Sequence, residues 1–168
     1  MEILKLKDSQ FNELLRLCNL YYREAEKCEK SKAYLAGCIM LGATLEAALL
    51  AFSYLFSSEI PEELIPKYNG KTKNLLSWDL SQLLKIARKC NWLPARLNVD
   101  EDWNHRKAHI GDYVIVLKDI RNLIHAGRYI RDFSNMRITK KRMLLCFETL
   151  EIATDYLLKK IYKSIDSH

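Results

Sequence analysis

The chain has 168 residues, 49% hydrophobic and 29% charged, with a formal net charge of +6. That length suits one domain with a proper hydrophobic core and argues against two. Only five glycines and three prolines are present, so turns are scarce, which disfavours a fold of many short strands.

In chain order, Asp8 or Ser9 can cap a first helix running to about Lys30, with Phe11, Leu14, Leu15, Leu17, Cys18 and Tyr21 as its apolar stripe. Ser31 can cap a second, AYLAGCIMLGATLEAALLAFSYLF (33–56), whose only charge is Glu46 and which ends near Ser57. This run is long enough to cross a bilayer. A carboxylate at the membrane centre is costly, however, and the other helices carry single apolar stripes that need a common partner. The expected role is therefore the central helix of a bundle, with no membrane partner.

Residues 59–74, EIPEELIPKYNGKTKN, contain Pro61, Pro66 and the Asn69-Gly70 turn signal, and predict a loop with one short helical turn. SWDLSQLLKIARKCNWL (77–93) predicts a third helix, capped by Ser77 or Asp79 and closed by Pro94. Its apolar positions are Leu80, Leu83, Leu84, Ile86, Ala87 and Trp92. After a polar, irregular stretch (95–110), a helix is expected over 111–126, with Gly127 as its left-handed C-cap. A basic connection (128–137) leads to a last helix over 138–165. Its expected buried set is Met143, Cys146, Phe147, Leu150, Ala153, Leu157, Ile161 and Ile165. With no internal repeat or linker, residues 1–168 read as a single all-α domain, an antiparallel bundle of four to five helices.

The five cysteines, Cys18, Cys28, Cys38, Cys90 and Cys146, show no CxxC pair and no metal-ligand spacing. Cys38 and Cys146 fall in apolar helical runs, where a free thiol behaves as a small hydrophobe. An odd count and an N-terminus, MEILKLKDSQ, without a long apolar core predict a reducing, cytoplasmic setting.

At about 100° per residue, Tyr113, Val116, Leu117, Ile120, Leu123, Ile124 and Gly127 share one arc of the predicted 111–126 helix. Lys118, Arg121, Asn122 and His125 fall on the other side, with Arg121 and His125 one turn apart. Val114 and Ile115 also project there. A face mixing apolar residues with this polar set reads as an interface, and a two-fold homodimer would bring it against its own copy. The alternative is that Val114 and Ile115 pack on residues 95–110 of the same chain.

The chemistry of that stripe is definite. Histidine exchanges protons near neutral pH, and near a helix C-terminus its protonated form is favoured. Arginine can hold two phosphate oxygens and neutralise charge growing at phosphorus. Asparagine can orient either neighbour or bind a ribose hydroxyl. In the plainer reading Arg121 pairs with a carboxylate and His125 caps helix carbonyls. Beyond the stripe, Arg128, Arg131, Arg137, Lys140, Lys141 and Arg142 are opposed only by Asp132, a cluster able to attract a polyanion such as RNA.

An all-helical chain with IRNLIHAGR late in its length resembles the HEPN superfamily of small helical domains, many of them toxins or defence ribonucleases. The family's motif is an arginine, commonly followed by asparagine, and a histidine after four to six intervening residues; here three intervene. The resemblance implies an endoribonuclease site shared by two protomers, in which the ribose 2'-hydroxyl attacks without a metal. Arg121 would stabilise the transition state, Asn122 would orient, and His125 would serve as acid or base. It equally implies, from non-catalytic relatives, a module that binds RNA or a protein partner such as an antitoxin.

Glu46, alone in its apolar helix, needs a partner or a proton, and Arg121 could supply the partner and be positioned by it. His105 and His109 are four apart but lack a clear third ligand, so no metal or other cofactor is expected. Trp78, Trp92, Trp103, Tyr129 and Phe133 could stack on bases or fill the core. No glycine-rich phosphate loop, GxSxG elbow or paired-acid motif occurs, which leaves nucleotide hydrolysis and serine catalysis without support.

Overall fold

The structure, a computed structural model, describes residues 4–93, 130 and 138–166. Among these the chain is mostly helical. α1 (Asp8–Lys30) and α2 (Tyr34–Leu55) form a helical hairpin. α3 (Leu80–Lys89) and α4 (Lys140–Ile165) pack on α2. The expected 111–126 helix lies outside the described residues.

The first two helices begin where local hydrogen bonding, not the expected caps, allows. Lys7 is the N-cap of α1, and Gln10 Oε1 accepts from its backbone N–H at 2.9 Å, leaving Asp8 in the first turn to complement the helix dipole. Ser31 does not cap α2; it ends α1, its hydroxyl donating to the Cys28 carbonyl at 3.2 Å. Lys32 then turns left-handed (φ 61°), with its N–H on the Glu29 carbonyl and the Ala33 N–H on the Cys28 carbonyl. This is a Schellman closure made without glycine.

α1 and α2 are antiparallel: Phe11, early in α1, meets Tyr54, late in α2, at a centroid distance of 5.5 Å. α4 is antiparallel to α1, since Tyr22 packs edge-on against Phe147 and Lys140 pairs with Glu29 at 3.4 Å. α2 and α4, however, run parallel. Gly37 and Cys38 at the start of α2 face Met143 and Cys146 at the start of α4, and Phe56 beyond the end of α2 lies under Lys160. α1 is thus antiparallel to both α2 and α4, which run parallel to each other.

The core is centred on α2. Cys38, Leu41, Leu45, Leu49 and Phe52 are buried among Leu80, Leu83, Leu84 and Ile86 of the α3 side and Met143, Cys146, Leu150 and Ala153 of α4. Tyr34–Leu55 is long and apolar enough to span a membrane, yet in the folded chain most of it is covered by its neighbours. The expected stripes need three corrections. Leu15 is 44% exposed and Ile165 63% exposed, so neither joins the core. Leu145 and Thr149 are buried instead.

α3 is shorter than expected. Asp79, not Ser77, caps it, accepting from the Gln82 N–H at 2.9 Å while Gln82 accepts from the Asp79 N–H at 3.1 Å. It stops at Lys89, before Pro94, because Asn91 turns left-handed (φ 55°) and the Trp92 N–H returns to the Ala87 carbonyl at 2.8 Å. Trp92 is thus buried, 2% exposed, but from outside the helix.

The 57–79 connection holds more order than a single turn. It has three 3-10 turns, Ser57–Glu59, Glu62–Leu64 and Leu75–Ser77, and a two-stranded hairpin, β1 (Lys67–Tyr68) with β2 (Lys71–Thr72). Asn69 (φ 48°) and Gly70 (φ 74°) both lie left-handed, as a tight two-residue hairpin turn requires.

Gly37 sets how closely α2 approaches α4. A Cβ there would overlap the Met143 methyl and sit 3.1 Å from Cys28 Cβ. Gly37→Ile should therefore destabilise the protein by about 2 kcal/mol through overpacking, despite a gain in helix propensity. Urea denaturation of the variant beside wild type checks this, and an unchanged midpoint would place the two helices further apart.

Candidate nucleic-acid interface

Most residues assigned from sequence to the candidate site lie outside the described residues: Lys118, Arg121, Asn122, His125, Arg128, Arg131 and Arg137. The same holds for His105, His109, Trp103, Tyr129, Phe133, Val114 and Ile115. The two remaining RNA-contact candidates, Lys140 and Lys141, occupy the first turn of α4. Both are exposed; Lys140 is held beside Glu29, and Lys141 also has a partner.

Thr139 shapes this end of α4. Its hydroxyl accepts from the Arg142 N–H at 3.4 Å, and no acidic residue follows in the first turn. The positive end of the helix dipole and three successive basic side chains therefore add in one place. Arg142 is the inward-facing member: its Nε is buried and lacks a hydrogen-bond partner among the described residues. Its charge lies near Cys38 and Cys146 and favours their thiolates.

Cys38 and Cys146 are both completely buried, as expected of small hydrophobes, and they meet across the α2–α4 contact. Interaction with the Cys38 sulfur, reinforced by burial, pushes the Cys146 thiol far up. The same contact, opposed by burial, draws Cys38 down. The pair retains at least the Cys146 proton and is shielded from reagents. Burial likewise pushes Cys18 up to about 11.

Glu46 is half-buried on α2 and has an interaction partner. The proposed pairing with Arg121 falls outside the described residues. Among the described residues no group of three His, Cys, Asp or Glu side chains could hold a metal ion.

Sequence reasoning missed a polar knot at the opposite end of the bundle. Glu59 Oε2 accepts from Trp92 Nε1 at 2.9 Å, and Glu59 Oε1 pairs with Lys160 at 3.0 Å. The Cys90 thiol donates to the Glu59 carbonyl at 3.6 Å, and the Lys160 ammonium lies 5.0 Å above the Phe56 ring. The knot joins the segment after α2, the end of α3 and the second half of α4. Its groups satisfy one another, so it acts as a clasp. Trp78 and Trp92, offered as base-stacking candidates, are core residues at 2% exposure each. No sequence signal joined them: Glu59 fell in a predicted loop and Trp92 read as one more apolar position of the third helix.

Compared with protein-family models, curated proteins and solved structures, the chain matches none.

The thiol environments predict a labelling order. At pH 8, iodoacetamide should leave Cys18, Cys38 and Cys146 unmodified in the native protein and alkylate all five cysteines after denaturation, because the raised pKa values of Cys18 and Cys146 suppress their thiolates and complete burial shields Cys38 from the reagent. Peptide mass spectrometry reads this directly; rapid native labelling of Cys146 would contradict the α2–α4 packing.

Proposed function

We propose that this chain is an RNA-directed, HEPN-like helical domain of a toxin or defence system, acting in a reducing, cytoplasmic setting. The observation that carries the reading is the Arg121-Asn122-His125 set, with its flanking Lys118 and Arg128, in a chain whose described part is a helical bundle. Support comes from the basic run of 128–142, whose last members, Lys140, Lys141 and Arg142, open α4 with no acidic residue in its first turn.

In the catalytic form two copies pair and build one site from both stripes. A base, His125 of one protomer, takes the proton of a ribose 2'-hydroxyl. The 2'-oxygen forms a bond to the adjacent phosphorus as the bond to the 5'-oxygen breaks. The leaving oxygen receives a proton from the second His125, and the products carry a 2',3'-cyclic phosphate and a 5'-hydroxyl. Arg121 neutralises the phosphorane, and Asn122 orients it. Glu46 would steady Arg121 from α2. Lys118, Arg128, Arg131, Arg137, Lys140 and Lys141 would hold the RNA backbone.

A second reading is favoured by one observation. Three residues separate Arg121 from His125, one fewer than in the family's shortest motif, and on the expected helix that difference would turn the histidine by about 100°. The same stripe would then bind RNA, an antitoxin or another protein partner without cleaving.

The test is cleavage of total and transfer RNA in EDTA by wild type, Arg121→Ala and His125→Ala, each confirmed as a folded dimer by light scattering. Catalysis predicts cyclic-phosphate ends and a loss of at least about a hundredfold in each variant. Equal activity in all three preparations would refute it. A folded dimer that binds RNA without cutting it would establish the second reading.

A further inference from the structure

The β1–β2 hairpin carries side chains that folding does not account for. Its base is fixed to the core: Ile65, Leu75 and Trp78 are buried, the Lys73 N–H donates to the Pro66 carbonyl at 2.8 Å, and the Trp78 indole donates to the Lys73 carbonyl at 3.2 Å. Lys73 Nζ is committed to Gln82 Oε1 at 3.0 Å. Its tip is different. Tyr68 is 72% exposed, the largest exposure of any large apolar or aromatic side chain among the described residues.

The register sorts the tip into two faces. Tyr68 is paired with Lys71, so these two side chains stand together on one face; Lys67 is paired with Thr72 on the other. Beneath the hairpin an open cavity of about 310 Å³ is lined by Pro66, Lys67, Gln82 and Lys85, with Glu63 as its only carboxylate. Lys67, Lys71 and Lys85 make no ion pair among the described residues. An exposed ring flanked by uncommitted ammonium groups on a rigid support combines the two elements of single-strand recognition, a stacking surface and phosphate neutralisation.

We propose that the Lys67–Thr72 hairpin is a contact site for single-stranded RNA, with a base stacked on Tyr68, one phosphate at Lys71 and the next at the Lys67–Lys85 side of the cavity. The proposal rests on the RNA-directed reading above and assigns that reading a second contact surface, remote in sequence from Arg121 and His125. A rigid hairpin of this kind would set where the strand runs without touching the reacting phosphate.

Fluorescence anisotropy with a fluorescein-labelled oligouridylate tests it. Wild type should bind at low salt. Tyr68→Ala should weaken Kd about tenfold, while Tyr68→Phe, which keeps the ring, should bind like wild type. Lys71→Ala and Lys67→Ala should each lower the slope of log K against log salt by about 0.7. All three positions of substitution are exposed at the hairpin, and thermal melting should be unchanged. If wild type binds and the hairpin variants match it in affinity and slope, the proposal is wrong while the RNA-directed reading stands. If Tyr68→Ala alone has no effect, stacking is refuted. If polyglutamate displaces the probe as readily as unlabelled oligouridylate does, the surface is a general anion face and the proposal falls. If wild type does not bind at all, the RNA-directed reading itself fails.

Discussion

The described structure depends on α2 being apolar around its whole circumference. α1 and α3 each offer a single apolar stripe, and α4 offers one along most of its length, so none could bury its stripe without a partner that accepts contact from several sides. α2 provides this with Cys38, Leu41, Leu45, Leu49 and Phe52 buried in the same helix. Each fully buried leucine contributes roughly 1.5–3 kcal/mol. The cost of such a helix is the handling of its polar groups. Thr44 meets it by donating its hydroxyl to the Met40 carbonyl at 2.9 Å, and Glu46 by lying half-buried with a partner.

Close approach and clasping then divide the work between the two ends of the α2–α4 pair. At the start of both helices Gly37 removes a side chain where Met143 and Cys28 converge, and the Cys38–Cys146 contact fills the space behind. At the far end Glu59 gathers Trp92 and Lys160, so that the exit of α2, the exit of α3 and the body of α4 are tied by one carboxylate. Parallel helices far apart in sequence receive no help from a short loop. Packing at one end and a polar clasp at the other hold this pair in register.

The sequence made the helices legible where periodicity and capping agree. α1, α2 and α4 fall within a few residues of expectation, and the Asp79–Gln82 capping box starts α3 as its residue types imply. Legibility failed where a single backbone conformation decides. Asn91 ends α3 early by turning left-handed, a choice that periodicity through Trp92 hides. Asn69-Gly70 marked a turn, but strands of two residues each are too short to show alternation. The exposure of Leu15 and Ile165, the parallel run of α2 and α4 and the Glu59 clasp are long-range properties with no local signature. For the candidate site, residue chemistry was readable and placement was not: of the residues proposed to act, Glu46, Lys140 and Lys141 lie among the described ones.

A bundle that displays basic groups at the start of α4 and at the β1–β2 hairpin keeps them in place only if its central helix stays folded as a unit. Native-state hydrogen exchange in detergent-free buffer tests that most directly. The account predicts that backbone amides of residues 41–52 exchange slowest in the chain and only through global unfolding, with the same dependence on denaturant as the whole protein. Exchange of those amides as fast as that of the hairpin tip, or protection that appears only in detergent, would contradict a core built around α2.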